Sequence, residues 1–484
     1  MRGRTTRADG RTARRGGSVV AVLAALTLAA GTTAAVTLED GPTAVPVAPA
    51  PSPAGPPVRA ALLPAPTSAA LTPTPSGLQV EVDAVLADPA VVGRLAVSIV
   101  DADTGRPLFE RAAGVAVLPA STAKIATAVA ALTALPPGQR LATRVVAGTV
   151  PGEVVLIGGG DTTLAGAAAG PAAKVENEDE AEAEARPAYP TVARLTDLAA
   201  QVRTALGASA VTRVLVDESL YSGSRLGPGW KPGYVMQGSV APVVSLMVDG
   251  GRVRPDRSPR QDDPALAAGR QLAALLTSGA PVAVGRGTAA PAATQLGEVL
   301  SPPVAQLVER MLARSDNDLA EALARQVALT QGQPASFAGA ATALEQVLAP
   351  LGLDPGAVVL ADGSGLSRSY RIGPGDVTGL LARAASGDDP RLAPLLTGLP
   401  IAGFHGTLAN RYRVGDAGAP AAGAIRAKTG TLDGVSALAG LVRTADGRLL
   451  AFDLTADGVP LGANRGAQAA LDRLAAGLAA CGCR

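Results

Sequence analysis

Histidine is almost absent from this sequence, which holds one, His405, in 484 residues. A Ser-His-Asp triad therefore has a single candidate base, and the Gly-x-Ser-x-Gly elbow that presents many such serines occurs nowhere. Cysteine stops at Cys481 and Cys483, a pair at the C-terminus with no histidine beside it, which is a poor zinc site and reads as peripheral. Aromatics make up 2% of the chain, so base-stacking platforms are not expected and the core has to be built from Ala, Val and Leu. A net charge of +1 offers no global field for nucleic acid. The run Gly158-Gly159-Gly160-Asp161 lacks the spacing of a dinucleotide-binding loop, no Gly-Lys-Ser/Thr phosphate loop exists, and the run reads as a strand-end turn. No metal and no cofactor is called for.

Lysine is the most informative scarcity. Of 42 basic residues only Lys124, Lys174, Lys231 and Lys428 are lysine, and the other 38 are arginine. Arginine keeps its proton in a protein, whereas a lysine can be tuned to release it. The presence of lysine at 124 and 428 therefore points to chemistry that arginine cannot perform.

At this length two or three folded units are expected. Residues 1–40 carry six arginines ahead of an uncharged, Ala/Val/Leu-rich run from Ser18 to Leu38, which reads as a signal peptide or a signal anchor. The Pro/Ala-rich stretch 41–77 reads as a spacer, so the folded part is placed outside the cytoplasm, membrane-anchored or secreted to the cell wall. Residues 78–140 open the first fold, with strands at Leu95–Val100 and Pro107–Ala112 and then an apolar helix that Pro136-Pro137-Gly138 stops. Residues 141–300 change character, with short strands at Val145–Val150, Val154–Ile157 and Arg213–Asp217 and an acidic tract, Val175 to Arg186. They read as a large, mainly β inserted module. From 301 to 484 helices return, followed by strands at Ala424–Thr429, Ala437–Arg443 and Leu449–Leu454 and a last helix, Asn464–Ala479.

Three motifs fall in order along this frame. Ser121 and Lys124 are three residues apart at the start of the apolar helix, so they share a face, with the serine where backbone N–H groups favour negative charge. Ser315-Asp316-Asn317 separates two helical runs, and Lys428-Thr429-Gly430-Thr431 ends a strand. Each alone is an ordinary cap or turn; a nucleophile beside an amine, a Ser-x-Asn and a Lys-Thr-Gly together are the signature of penicillin-recognising serine enzymes.

With these, Gly158-Gly159-Gly160-Asp161-Thr162-Thr163-Leu164, Asp362-Gly363-Ser364-Gly365-Leu366-Ser367 and Gly406-Thr407-Leu408, the sequence resembles the class C low-molecular-mass penicillin-binding proteins, the D-alanyl-D-alanine carboxypeptidases and endopeptidases. Thr162 stands where that family usually has proline, and the separation of 194 residues from Ser121 to Ser315 suits its large insertion. The resemblance implies the α/β serine β-lactamase/DD-peptidase fold, an antiparallel sheet flanked by helices. It implies peptidoglycan stem peptides as substrates and β-lactams as covalent inhibitors. Ser121 would be the nucleophile and Lys124 the base, its pKa lowered by burial and by neighbouring cations. Ser315 and Lys428 would relay a proton, and Asn317 would hold a substrate carbonyl. The N–H groups of Ser121 and Thr431 would form the oxyanion hole, while Lys428, Thr429, Gly430 and Thr431 would take the terminal carboxylate. Asp217 is similar to the acidic residue that meets a diaminopimelyl amine; its alternative is a strand-end carboxylate in a turn. A β-lactamase of class A needs a Glu-x-x-x-Asn loop, which the sequence lacks. A non-catalytic wall-binding or β-lactam-sensing protein is the alternative of another kind.

Overall fold

The computed structural model describes residues 70–88, 93–166, 190–254, 259–278, 280–416 and 418–481. The basic and apolar N-terminal runs, the acidic tract at 175–186 and Cys483 lie outside the described residues. Among the described residues no helix is long and apolar enough to cross a membrane.

Helix α1 (Pro75–Leu86) leads into strands β1 (Arg94–Asp101) and β2 (Pro107–Arg111), and a single 3-10 turn, Ala120–Ala123, opens α2 (Lys124–Ala134). Next come β3 (Ala142–Ala147), β4 (Glu153–Ile157), α3 (Leu195–Leu206), β5 (Arg213–Asp217), α4 (Pro264–Leu276), β6 (Ala283–Arg286) and β7 (Gln295–Leu300). Helices α5 (Val304–Arg314), α6 (Asn317–Thr330), α7 (Phe337–Leu348), α8 (Pro374–Ala385) and α9 (Ala393–Gly398) follow. The chain closes with β8 (Ile425–Leu432), β9 (Val435–Arg443), β10 (Leu449–Asp457) and α10 (Asn464–Ala480).

The first and last strands share one antiparallel sheet in the order β2-β1-β10-β9-β8, so residues some 350 apart in sequence pair directly, Ile99 opposite Phe452 among them. Its inner strands are apolar on both faces because both faces are covered. On one face Leu95, Val97, Ile99, Leu438, Phe452 and Leu454 pack against α1 and α10. On the other, Val100, Val435, Ala439 and Leu441 pack against a layer of helices in which α2 is central. Every residue of α2 from Lys124 to Leu132 is buried, four of them alanine, as a helix enclosed on all sides requires. With so few aromatics, small side chains fill this layer and the helices approach closely.

Residues 142–300 form a second sheet, order β6-β5-β4-β3-β7. Strands β4, β5 and β6 run parallel, and α3 and α4 are the crossovers that such pairs need. Those two helices are what the sequence reading of this region lacked, because it placed the strands without their direction. Leu195, Leu198 and Val202 of α3 and Ala265, Ala268 and Leu272 of α4 join Val154, Leu156, Val214 and Val216 in its core. The expected strand at 145–150 lies three residues earlier, since Val150-Pro151-Gly152 is taken up by the turn to β4. Strand β8 runs further than expected, through the whole of Lys428-Thr429-Gly430-Thr431, held by pairing with Ser436 to Ala439 of β9. Helix α10 ends at Ala480 and is capped by Cys481, which is disulfide-bonded.

Phe452 is fully buried where the two ends of the chain meet. Phe452→Ala should cost about 3–5 kcal/mol of unfolding free energy, read as a lowered denaturant midpoint, because the cavity falls in the sheet that joins both halves. A loss under 1 kcal/mol would show that this sheet does not govern stability.

Candidate active site

The sheet edge and the helical layer meet at Ser121. Ala120, just before it, is fully buried with φ at +50°, a conformation that costs a non-glycine residue energy and that clusters at functional sites. Two glycines let other segments close on this turn. A Cβ on Gly430 of β8 would lie 2.6 Å from the Pro119 carbonyl oxygen, and one on Gly365, whose φ is +77°, would lie 2.0 Å from that of Ala120. The Lys-Thr-Gly strand and the glycine-rich loop thus both touch the serine's turn, and only glycine permits it.

Lys124 lies one turn on, completely buried. Its Nζ donates to Ser121 Oγ at 3.0 Å, to Asn317 Oδ1 at 2.6 Å and to the Ser364 carbonyl at 2.6 Å. Three donors meet three acceptors from three segments, so the amine is fixed in direction. Burial pulls its pKa down to about 8 against the opposing pull of Asp362, Glu321, Asp316 and Asp318. The charged neighbours acting on Lys124 are carboxylates; the lowering by cations expected from the sequence falls on Lys428 instead. There burial, then Lys124 and Arg411, push the ammonium well below its usual range.

Ser315 caps α5 in a left-handed conformation, φ +54°, and Asn317 opens α6 behind the cap Asp316, whose carboxylate accepts from Leu319 N–H at 3.0 Å. Asn317 Nδ2 donates to the Ser239 carbonyl at 2.8 Å, which leaves one N–H for another acceptor. Lys428 Nζ donates to the Thr429 carbonyl at 2.8 Å. Ser315 Oγ makes no hydrogen bond among the described residues, so Ser315 and Lys428 are neighbours of the centre rather than members of its closed network. At the exposed rim Thr429 and Thr407 share a hydrogen bond of 2.9 Å, and Gln468 Nε2 donates to Thr431 Oγ1 at 2.9 Å.

Residues 78–262 and 258–478 match the D-Ala-D-Ala carboxypeptidase 3 (S13) family. The chain belongs to that family. It is similar to Carboxypeptidase DacB of Mycolicibacterium smegmatis, 42% identical over 96% of this chain and 95% of the relative. It is also similar to the D-alanyl-D-alanine carboxypeptidase of an Actinomadura species, 31% identical over 79% of this chain and 81% of the relative. Its fold is like that of penicillin binding protein 4 (dacB) from Haemophilus influenzae, with a TM-score of 0.64 over 81% of this chain and 97% of that one at 22% identity. The α/β DD-peptidase fold expected from the motifs is the fold of this S13 member.

Other sequence candidates have plain places. His405 sits exposed in a tight turn paired with Ile401, its pKa lowered by partial desolvation, Arg314 and Arg426. Gly158 and Gly160 form the turn after β4, donating to the Asp217 and Ser245 carbonyls. Asp217, buried at the end of β5, accepts from Ser219 N–H at 3.0 Å on one oxygen and from Ala289 N–H at 2.8 Å on the other. That is the geometry of a strand-end cap rather than of an open carboxylate. Sequence reasoning quoted the loop at 362–367 without giving it a role, and it passed over Glu321, whose carboxylate accepts from Gly363 and Ser364 N–H, and Trp230, which donates to Asp362. A buried acid in a glycine loop and the chain's one tryptophan were the available signals.

A lysine that must lose its proton to act as a base, with a pKa of about 8, makes acylation of Ser121 by penicillin rise with pH, pass its midpoint at about pH 8 and level off about one unit higher. A flat or falling profile would remove Lys124 from that role. Lys124→Arg should keep the fold by circular dichroism and lose acylation by at least about a hundredfold, since arginine keeps the charge and cannot accept a proton.

Proposed function

We propose that this S13 member is a serine D-alanyl-D-alanine carboxypeptidase of peptidoglycan in which Ser121 is the nucleophile and Lys124 its base. The observation that carries the reading is the buried Lys124 amine 3.0 Å from Ser121 Oγ, with a pKa lowered to about 8 and with both other donors engaged. Ser121 Oγ attacks the carbonyl carbon of the D-Ala-D-Ala bond and its proton passes to Lys124 Nζ. The oxyanion is met by the N–H groups of Ser121 and Thr431. Collapse breaks the C–N bond, and the departing D-alanine amine takes its proton by way of Ser315 and Lys428. Water then cleaves the ester and restores the serine.

The remaining N–H of Asn317 suits the substrate carbonyl. Lys428, with the Thr429 and Thr431 hydroxyls, suits the terminal carboxylate, and Gly430 keeps that strand close to the nucleophile. Buried cations near a carboxylate site favour the anion. The same route makes the enzyme a target for β-lactams, and without a Glu-x-x-x-Asn loop the penicilloyl ester should be released slowly. Action on D-amino-acid cross-links as an endopeptidase would use the same centre. Residues 141–300 are proposed as a module inserted into the peptidase domain. The N-terminal basic and apolar runs are proposed to export the chain and, if retained, to anchor it. A diaminopimelate-type stem peptide is proposed on the family resemblance.

Penicillin treatment of the full chain followed by peptide mass mapping should place one adduct on Ser121; an adduct elsewhere, or none, would overturn the mechanism. Cross-linked muropeptides distinguish the carboxypeptidase, which releases D-alanine, from an endopeptidase, which separates the chains. Asp217→Ala should lower hydrolysis of diaminopimelyl and lysyl peptides alike, as loss of a strand-end cap would. A loss confined to the diaminopimelyl peptide would instead assign Asp217 to recognition.

A further inference from the structure

Two of the three acceptors that fix Lys124 are themselves held by one segment, residues 227–240, which precedes α4. The first is direct, since Asn317, the acceptor at 2.6 Å, donates its amide to Ser239 O. The second runs through the glycine-rich loop that carries the Ser364 carbonyl. Asp362 at the head of that loop accepts from Gly365 N–H and Ser367 N–H, each at 2.7 Å, and from Trp230 Nε1 at 2.7 Å. Ser367 Oγ returns a hydrogen bond to Pro228 O at 2.6 Å. Trp230 is seated edge-on to Phe337, with ring centroids 5.3 Å apart and planes at 81°. Lys231 pairs with Asp433 in the turn after β8.

We propose that Trp230 is a positioning residue for Lys124, acting through the Asp362 carboxylate and the Ser364 carbonyl, so that segment 227–240 sets the geometry of the base. This rests on the reading of Ser121 and Lys124 given above. The indole N–H is the side-chain donor that satisfies Asp362, which is otherwise held by backbone alone. An ionised acid buried there needs that donor. Burial and the nearby Glu321 push Asp362 up to about 7, and the Trp230, Gly365 and Ser367 hydrogen bonds work against this. Asp362 in turn heads the carboxylates that raise Lys124, before Glu321, Asp316 and Asp318. Of these, Glu321 is paired with Arg325 at 3.2 Å and Asp318 with Arg260 at 3.2 Å, while Lys428 faces Lys124 from β8 and Tyr370 faces Asp362. Loss of the indole N–H therefore favours neutral Asp362, and a neutral Asp362 lets Lys124 release its proton at lower pH.

The test measures penicillin acylation of the full chain against pH. Trp230→Phe keeps an aromatic ring against Phe337 and removes the donor. Its plateau rate should fall about tenfold, the equivalent of one hydrogen bond, and the rising limb should move to lower pH. Asp362→Asn, which keeps an oxygen acceptor and removes the charge, should move the limb the same way. Phe337→Leu, which loosens the indole's packing while keeping the donor, should leave the limb in place. The proposal is overturned if Trp230→Phe and Asp362→Asn retain the parent's rate and limb, or if Phe337→Leu reproduces the shift. Absence of any Ser121 adduct in the parent would instead defeat the mechanism beneath it.

Discussion

A lysine amine with no exposure to water has to be satisfied by the protein, and in this chain that requirement organises everything around it. Lys124 has three donors and finds three acceptors, one on its own helix, one at the start of α6 and one in the loop at 362–367. Those three segments can meet only if the helical layer is packed against the sheet. Burial costs the ammonium much of its stability, and four surrounding carboxylates return part of it. The balance leaves an amine with a pKa of about 8 beside a serine, which is the state a base for acyl transfer needs.

The packing that permits this depends on small residues. Alanine fills the buried face of α2, and Gly430 and Gly365 bring β8 and the loop against the backbone of 119–120 at distances no side chain allows. The strained Ala120 and Ser315 sit at two motif positions, one in the turn that opens α2 and one at the cap that ends α5. The backbone therefore carries strain where the motifs lie, and the long antiparallel sheet, which joins β1 to β10, holds it.

Residues 230–260 are tied to the same centre from the other side. Ser239 O receives the Asn317 amide, Ala241 N–H donates to Asp318, Arg260 pairs with Asp318, and Trp230 reaches Asp362. Four contacts from one stretch of chain fall on the two structures that hold Lys124. That stretch is thereby part of the support of the buried Lys124 amine.

Much of this was legible in the sequence. The scarcity of lysine and histidine fixed which groups can carry acid–base chemistry. Three short motifs in order gave the candidate nucleophile, its candidate base, and the strand beside them, because local chain geometry alone puts Ser121 and Lys124 on one face. The strand-end glycine turn at 158–160 and the helix caps were likewise local. Other features depended on residues distant in sequence. The direction of β4, β5 and β6, and hence helices α3 and α4, depends on pairing across 60 to 70 residues. The sign of the charges around Lys124 depends on which side chains the fold brings near it, so carboxylates stood where cations were expected. Asp217 looked the same in sequence whether open or capped, and only its two backbone donors distinguished the cases. The sequence by itself determined which residues are candidates for the chemistry, because reactivity belongs to residue type and near neighbours. The tertiary structure alone decided how the base is held and tuned, because burial and Coulomb terms are set by distances that the chain order does not contain.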